Sequence, residues 1–241
     1  MITFKINNQK IECPITWDEI TVEQYIKLKD AKNVSEVFKA LTGFDLYISE
    51  EQLERDFFPF LTFIADRPDF DSLPLTEYIQ GASAPLKNLG HGTFGQKIAA
   101  QKIISKAFKG QSKVDVTSFM VDVLEVYIKI EKNKINSLKF IQAYPYFNHI
   151  CKEILRLVKR DKQYLEQKPD SELTLAGVER LSKFGEMRII DQLAGGDLLK
   201  YEKIIEIEYD VIFKKLWYIA EQGAFRERLH KLQMKKQKQA A

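Results

Sequence analysis

With 241 residues and 45% hydrophobic content, the chain can bury a sizeable core, in one domain or two closely packed lobes. Charged residues make up 29% with both signs mixed, which excludes a disordered composition, and two cysteines, Cys13 and Cys151, exclude a disulfide framework. The net charge of +3 is uneven: residues 226–241 hold six Lys or Arg and one acidic residue, so the body carries no basic excess of the kind that nucleic acids require.

The N-terminus lacks a basic region followed by a long apolar stretch. No run approaches the roughly 18 apolar residues of a membrane span. These features lead us to expect no membrane contact and a cytoplasmic location.

Residues 1–14 read as a β-hairpin. Ile2, Phe4 and Ile6 alternate with Thr3 and Lys5, and Asn7-Asn8 supplies a two-residue turn. That turn pairs Phe4 with Ile11 and Ile2 with Cys13, and Pro14 ends the second strand. A lone hairpin is marginal in water, so its apolar face must pack on helices, expected near Trp17–Leu28.

After Trp17 the period turns helical. Thr21-Val22-Glu23-Gln24, Asn33-Val34-Ser35-Glu36 and Ser49-Glu50-Glu51-Gln52 are three capping boxes, each a helix start. The third opens a helix with Leu53, Phe57, Phe60, Leu61 and Ile64 on one side, expected to stop near Arg67-Pro68. Residues 68–93 are rich in Pro and Gly and read as an irregular linker, with one short helix around Leu75–Ile79.

Helical spacing resumes over Phe94–Lys109 and again over Val116, Phe119, Met120, Val123, Tyr127 and Ile130. Asn133–Asn136 reads as a break. Ile135–Lys159 reads as a helix pair or one helix kinked at Pro145, and residues 161–172 as a polar linker. Further helices are expected over about 174–193, 198–206 and 210–222. In Leu193-Ala194-Gly195-Gly196-Asp197, two glycines end one helix and Asp197 caps the next. No internal repeat stands out.

The predicted fold is therefore mainly α, a multi-helix protein with a short N-terminal β-hairpin. Its segments are the hairpin 1–14, a first helical lobe 15–67, a linker 68–93, a second helical lobe 94–223 and a basic tail 224–241.

Gly90-His91-Gly92-Thr93-Phe94-Gly95 is a literal G-x-G-x-x-G. A kinase-type phosphate loop lies between strands and needs partner motifs that this chain lacks, and a dinucleotide loop needs a buried strand before it. Nucleotide binding through Gly90–Gly95 is thus a remote alternative, and a flexible linker ending in a helix start is the expectation. His91, His149 and His230 stand far apart with no second ligand at metal spacing. Nucleophile-elbow and His-Glu-x-x-His patterns are absent. We expect no catalytic residues, no cofactor, no metal and no enzyme activity.

The tail remains. At helical spacing Phe225, Leu229 and Leu232 share one face, with Arg226, Arg228, Lys231, Lys235 and Lys236 around it. A solvated helix end, a docking helix for an acidic protein partner, and contact with nucleic acid or membrane all compete. Gly223 is expected to break the preceding helix, leaving residues 224–241 a peripheral helix or frayed tail that contacts a partner.

Several short motifs together carry a family likeness. They are Ile15-Thr16-Trp17-Asp18-Glu19-Ile20-Thr21 leading to Gln24-Tyr25, then Leu41-Thr42-Gly43, Thr93-Phe94-Gly95-Gln96, and Leu193-Ala194-Gly195-Gly196-Asp197 with Tyr201-Glu202. In this order the chain resembles small proteins encoded among the structural and assembly genes of tailed bacteriophages, especially those of Bacteroidetes hosts. Some of these resemble tail assembly chaperones, which hold the tape-measure protein before the tail is built. The resemblance implies a non-enzymatic assembly protein in the host cytoplasm, partnered by a tape-measure, tail or connector component. The alternatives are a virion structural subunit (a connector, adaptor or ring component) and self-association as a homo-oligomer.

Overall fold

The computed structural model describes residues 1–6, 8–45, 50–75, 78–79, 82–83, 87–108, 119–165 and 178–240. The protein is mainly α-helical with a two-stranded antiparallel hairpin at its N-terminus. No helix among the described residues is long and apolar enough to cross a membrane.

The hairpin joins β1 (Ile2–Ile6) to β2 (Gln9–Cys13) in the expected register, Phe4 opposite Ile11 and Ile2 opposite Cys13. Asn8 adopts φ 65°, as the turn requires; Asn7 lies outside the described residues. The hairpin's apolar face rests on α2 (Val34–Thr42) and α3 (Glu50–Leu61), a correction to the expected seat near Trp17–Leu28. The Phe4 ring meets Phe57 at 4.8 Å and Phe60 at 5.7 Å, and Ile11 packs with Phe38. Helices carrying large rings offer more area to a small apolar face than the short turn after Pro14 does.

The chain divides into two compact units, residues 1–85 with 102–151, and residues 86–101 with 152–241. These cut across the expected lobes 15–67 and 94–223, because the unit boundaries fall inside two helices, α4 (Phe94–Phe108) and α7 (Phe140–Leu165).

In the first unit, Thr21 caps α1 (Val22–Asp30) with a complete box: its amide donates to Gln24 Oε1 at 2.9 Å and its Oγ1 accepts from Gln24 N at 3.3 Å. Asn33 Oδ1 accepts from Glu36 N at 2.8 Å to cap α2, but Glu36 reaches back to Lys32 N instead of the cap itself. Ser49 lies outside the described residues. α3 contains Pro59 and ends at Leu61, followed by a 3₁₀ turn Thr62–Ile64, so it stops earlier than expected.

The core of this unit is aromatic. Tyr25 and Phe140 stack at 3.6 Å, and Phe70 meets both rings edge-on. Trp17 Nε1 donates to Phe63 O at 2.9 Å and Asp66 O at 3.1 Å, tying the turn after the hairpin to the segment that follows α3. Burial raises the thiols of Cys13 to about 11 and Cys151 to about 12, so both stay protonated and unreactive at neutral pH.

Two local expectations are corrected. Tyr78–Ile79 is the strand β3, paired with β4 (Ala82–Ser83), and not a helix; Thr76 and Glu77 lie outside the described residues. Asn133–Asn136 lies inside the short helix α6 (Lys132–Ser137). The break falls earlier, where α5 (Met120–Ile128) ends on Lys129 in a left-handed conformation. Pro145 sits within the single helix α7, at the loss of one backbone hydrogen bond.

The second unit contains α8 (Glu186–Ala194), α9 (Tyr201–Glu206) and α10 (Tyr209–Ala240). Gly195 and Gly196 adopt φ of 67° and 79°, and Asp197 accepts from Leu199 N at 3.0 Å, forming the expected corner. Of the expected polar linker 161–172, residues 161–165 belong instead to α7, and residues 166–177 lie outside the described residues.

An internal repeat, unexpected from sequence, is present. In the first unit Thr21 bridges to Lys139; Val22 N donates to Leu138 O at 2.9 Å and Phe140 N to Ile20 O at 2.8 Å. In the second, Thr93 bridges to Glu208; Phe94 N donates to Ile207 O and Tyr209 N to Gly92 O, both at 2.8 Å. Each unit therefore pins a Thr-x-x-Gln helix start against the start of a long helix that follows a six-residue one. In each, one aromatic from either helix stacks, Tyr25 on Phe140 and Phe94 on Tyr209.

Candidate functional site

The tail residues singled out from sequence all lie on α10, and its base is built from the glycine-rich segment. Leu89–His91 forms a 3₁₀ turn whose Leu89 and Gly90 are buried, so the segment is not the flexible linker expected. Its amides are used internally: Gly90 N donates to Asn88 Oδ1, Gly92 N to Leu89 O, Thr93 N to Gln96 Oε1 and Phe94 N to Ile207 O. A phosphate loop works by presenting such amides unpaired to its ligand. Gly90 instead allows close approach by a carboxylate. A Cβ on it would lie 2.3 Å from Asp210 Oδ1.

Asp210 is held from two more sides, by Arg160 Nη1 at 2.7 Å and Asn88 Nδ2 at 3.4 Å. Burial tends to raise its carboxyl, but the Arg160 guanidinium outweighs this and leaves it below the ordinary aspartate range. Arg160 also lies over the rings of Phe213 at 3.9 Å and Tyr209 at 5.4 Å.

Asp161, the next residue on α7 after Arg160, joins a second buried group. Its Oδ2 accepts from Lys97 Nζ at 2.9 Å and its Oδ1 from the Tyr209 hydroxyl. Lys97 is 4% exposed, and its ammonium faces the Tyr209 ring at 4.9 Å. Burial and the Asp161 charge both push the Tyr209 hydroxyl upward, so it stays protonated and donates. These groups fix α4, α7 and the first turns of α10 to one another.

Among the described residues His91, Glu208 and Asp210 come together as potential metal ligands. Sequence spacing hid this, because the three meet only through folding. His91 Nδ1 already lies 2.8 Å from Glu208 Oε1, and Asp210 faces a guanidinium, so the cluster carries its own cation. A divalent ion would have to displace that charge.

α10 runs unbroken from Tyr209 to Ala240, through Gly223. This corrects the expected break: one exposed glycine costs a helix about 1 kcal/mol, which the flanking turns outweigh. Beyond residue 222 the described side chains are exposed, apart from the half-buried Ala224. Phe225 is 59% exposed, Leu229 42% and Leu232 58%, so the three apolar tail residues lie uncovered on one face. Arg226, Arg228, Lys235 and Lys236 are exposed around them, and Lys231 pairs with Glu227.

The face is longer than the sequence reading proposed. Val211, Tyr218, Phe225 and Leu232 recur at seven-residue intervals, and Val211 and Tyr218 are 53% and 56% exposed. Seven-residue apolar spacing is the seam of a helix that pairs with another helix, and the signal was present in the sequence across Gly223. The stripe extends about 30 Å along the axis at 1.5 Å per residue.

No family model, curated protein or solved structure matches the chain.

Proposed function

We propose that this chain is a non-enzymatic bacteriophage assembly protein whose α10 docks another phage protein, acting as a tail assembly chaperone in the host cytoplasm. The observation that carries the docking role is the uncovered stripe from Val211 to Leu232 on a basic helix. Four large apolar side chains left in water on one face are costly unless a partner covers them. The base of the helix is fixed by buried and half-buried ion pairs, while its outer half is exposed and basic. That combination supports capture of a helical partner in which apolar contact supplies affinity and charge supplies steering. The phage assignment rests on the resemblance of the short motifs described above, with the tape-measure protein as the partner.

Mass spectrometry of purified particles tests the assignment. A chaperone is released before the particle is finished, so the chain is expected in infected-cell lysate and absent from particles. Several copies per particle would instead identify a connector, adaptor or ring subunit.

A further inference from the structure

A cavity of about 340 Å³ lies within the second unit, between α4, α7, α8 and the base of α10. Small-molecule sites span about 300–1,000 Å³, so it falls at the lower end of that range. Phe94, Val158, Leu165, Ile189 and Leu216 give it apolar walls, and Lys97, Gln101, Asp161 and Tyr209 add polar groups. Lys97 and Gln101 stand one turn apart on α4 and share a face. The Lys97 ammonium has three N–H groups and gives one to Asp161 Oδ2 at 2.9 Å. Gln101 Oε1 is buried and accepts no hydrogen bond, a standing cost to the folded chain. The internal repeat shows that the fold does not require this arrangement. Four residues after Thr21 the first unit has Tyr25, which stacks on Phe140 at 3.6 Å and meets Phe70 at 5.8 Å. Four residues after Thr93 the second has Lys97, 4% exposed, with its ammonium facing the Tyr209 ring. Rings fill the position in one unit, and a buried charge stands beside a cavity in the other. A buried ion pair adds little stability over apolar packing, so its place beside a cavity points to binding and not to folding.

We propose that this cavity binds a small uncharged molecule with an apolar body and one hydroxyl group, a phenol or an alcohol. The hydroxyl hydrogen supplies the donor that Gln101 Oε1 lacks, and the hydroxyl oxygen accepts from a Lys97 N–H that Asp161 does not use. The body of the ligand leaves water for the apolar walls, which supplies the affinity. Charge selects the uncharged form. The charged residues of the lining are Lys97, Lys162, Asp161 and Glu186, two of each sign, so the site offers no net charge to an ion. A carboxylate would compete with Asp161 for Lys97, and an ammonium would compete with Lys97 for Asp161. The cavity is separate from the outer half of α10, so this inference holds whether or not that helix docks a partner.

A methyl-resolved NMR titration of the full chain with para-cresol tests this. Saturable shifts are expected at the methyl groups of Val158, Leu165, Ile189 and Leu216 in the millimolar range, as suits so small a probe. Toluene has the same body without the hydroxyl and should bind about tenfold more weakly, the worth of one hydrogen bond. The anion para-toluate and the cation para-methylbenzylamine should bind more weakly than para-cresol. Gln101→Leu removes the acceptor at similar volume. It breaks no bond of Gln101 Oε1, so the melting temperature should hold or rise, and thermal unfolding checks this. In that variant the preference for para-cresol over toluene should fall to near onefold while toluene still binds. Shifts that do not saturate, or that fall only on methyl groups outside the lining, would overturn the proposal. So would a charged probe that binds more tightly than para-cresol, or a Gln101→Leu chain that keeps the full preference.

Discussion

Asp161→Ala is expected to destabilise the second unit by about 3–5 kcal/mol, among the largest effects of any single substitution in the chain. The substitution leaves the Lys97 ammonium, 4% exposed, with no carboxylate, and removes the acceptor of the Tyr209 hydroxyl. A buried charge that loses its partner cannot recover water, which is why breaking one side of such a pair costs more than the pair contributes. The double variant Lys97→Met with Asp161→Leu removes both charges at similar volume and should lie much closer to wild type. Thermal unfolding distinguishes the two: the single variant should lose about 10 °C and the double variant far less. A single variant that melts with wild type would show that Lys97 reaches solvent easily.

The second large effect comes from one substitution made at two glycines. Gly90→Ala places a methyl group where the Asp210 carboxylate sits, with Cγ 2.5 Å from the new Cβ. Asp210 cannot turn away without leaving Arg160 and Asn88, so the cost should be about 1–3 kcal/mol, the usual range for overpacking. Gly223→Ala lies on the exposed surface of α10, where alanine removes backbone freedom from the unfolded chain and should stabilise by about 0.5–1 kcal/mol. Urea unfolding should therefore move the midpoint in opposite directions for the same chemical change. A loss at Gly223 would mean that the helix does not pass through it.

Much of the fold was legible from local signals. The hairpin register followed from two-residue alternation ended by Pro14, and the Thr21 cap from a single tetrapeptide. Both depend on neighbours in sequence. Gly223 misled because propensity is a small term that adjacent turns override, and Asn133–Asn136 misled in the same way. The true break at Lys129 carries no residue type that favours a left-handed backbone. The internal repeat was half visible: Thr21-Val22-Glu23-Gln24 and Thr93-Phe94-Gly95-Gln96 share their cap residues, but the strand-like bridges that complete each motif join residues distant in sequence.

The candidate site divides the same way. Phe225, Leu229 and Leu232 were found from helical spacing, while Val211 and Tyr218 were missed because the stripe was read only after Gly223. No sequence pattern points to Lys97–Asp161 or Arg160–Asp210, because those pairs exist only once α4, α7 and α10 have met. A small apolar groove lined by Val34, Val37, Phe58, Leu61 and Ala65 was likewise invisible, since apolar residues on α2 and α3 read as core until their exposure is known.

The central claim is that the outer half of α10 exists to contact a partner and not to support the core. Truncation after Gln222, with thermal unfolding and sedimentation measured on the same sample, tests it most directly. The removed segment buries little apolar area, so the melting temperature should stay within a few degrees of the full chain. Capture of the partner protein should disappear together with its salt dependence. A truncated chain that fails to fold would place residues 223–241 in the core, and one that folds and associates as the full chain does would show that the tail docks nothing.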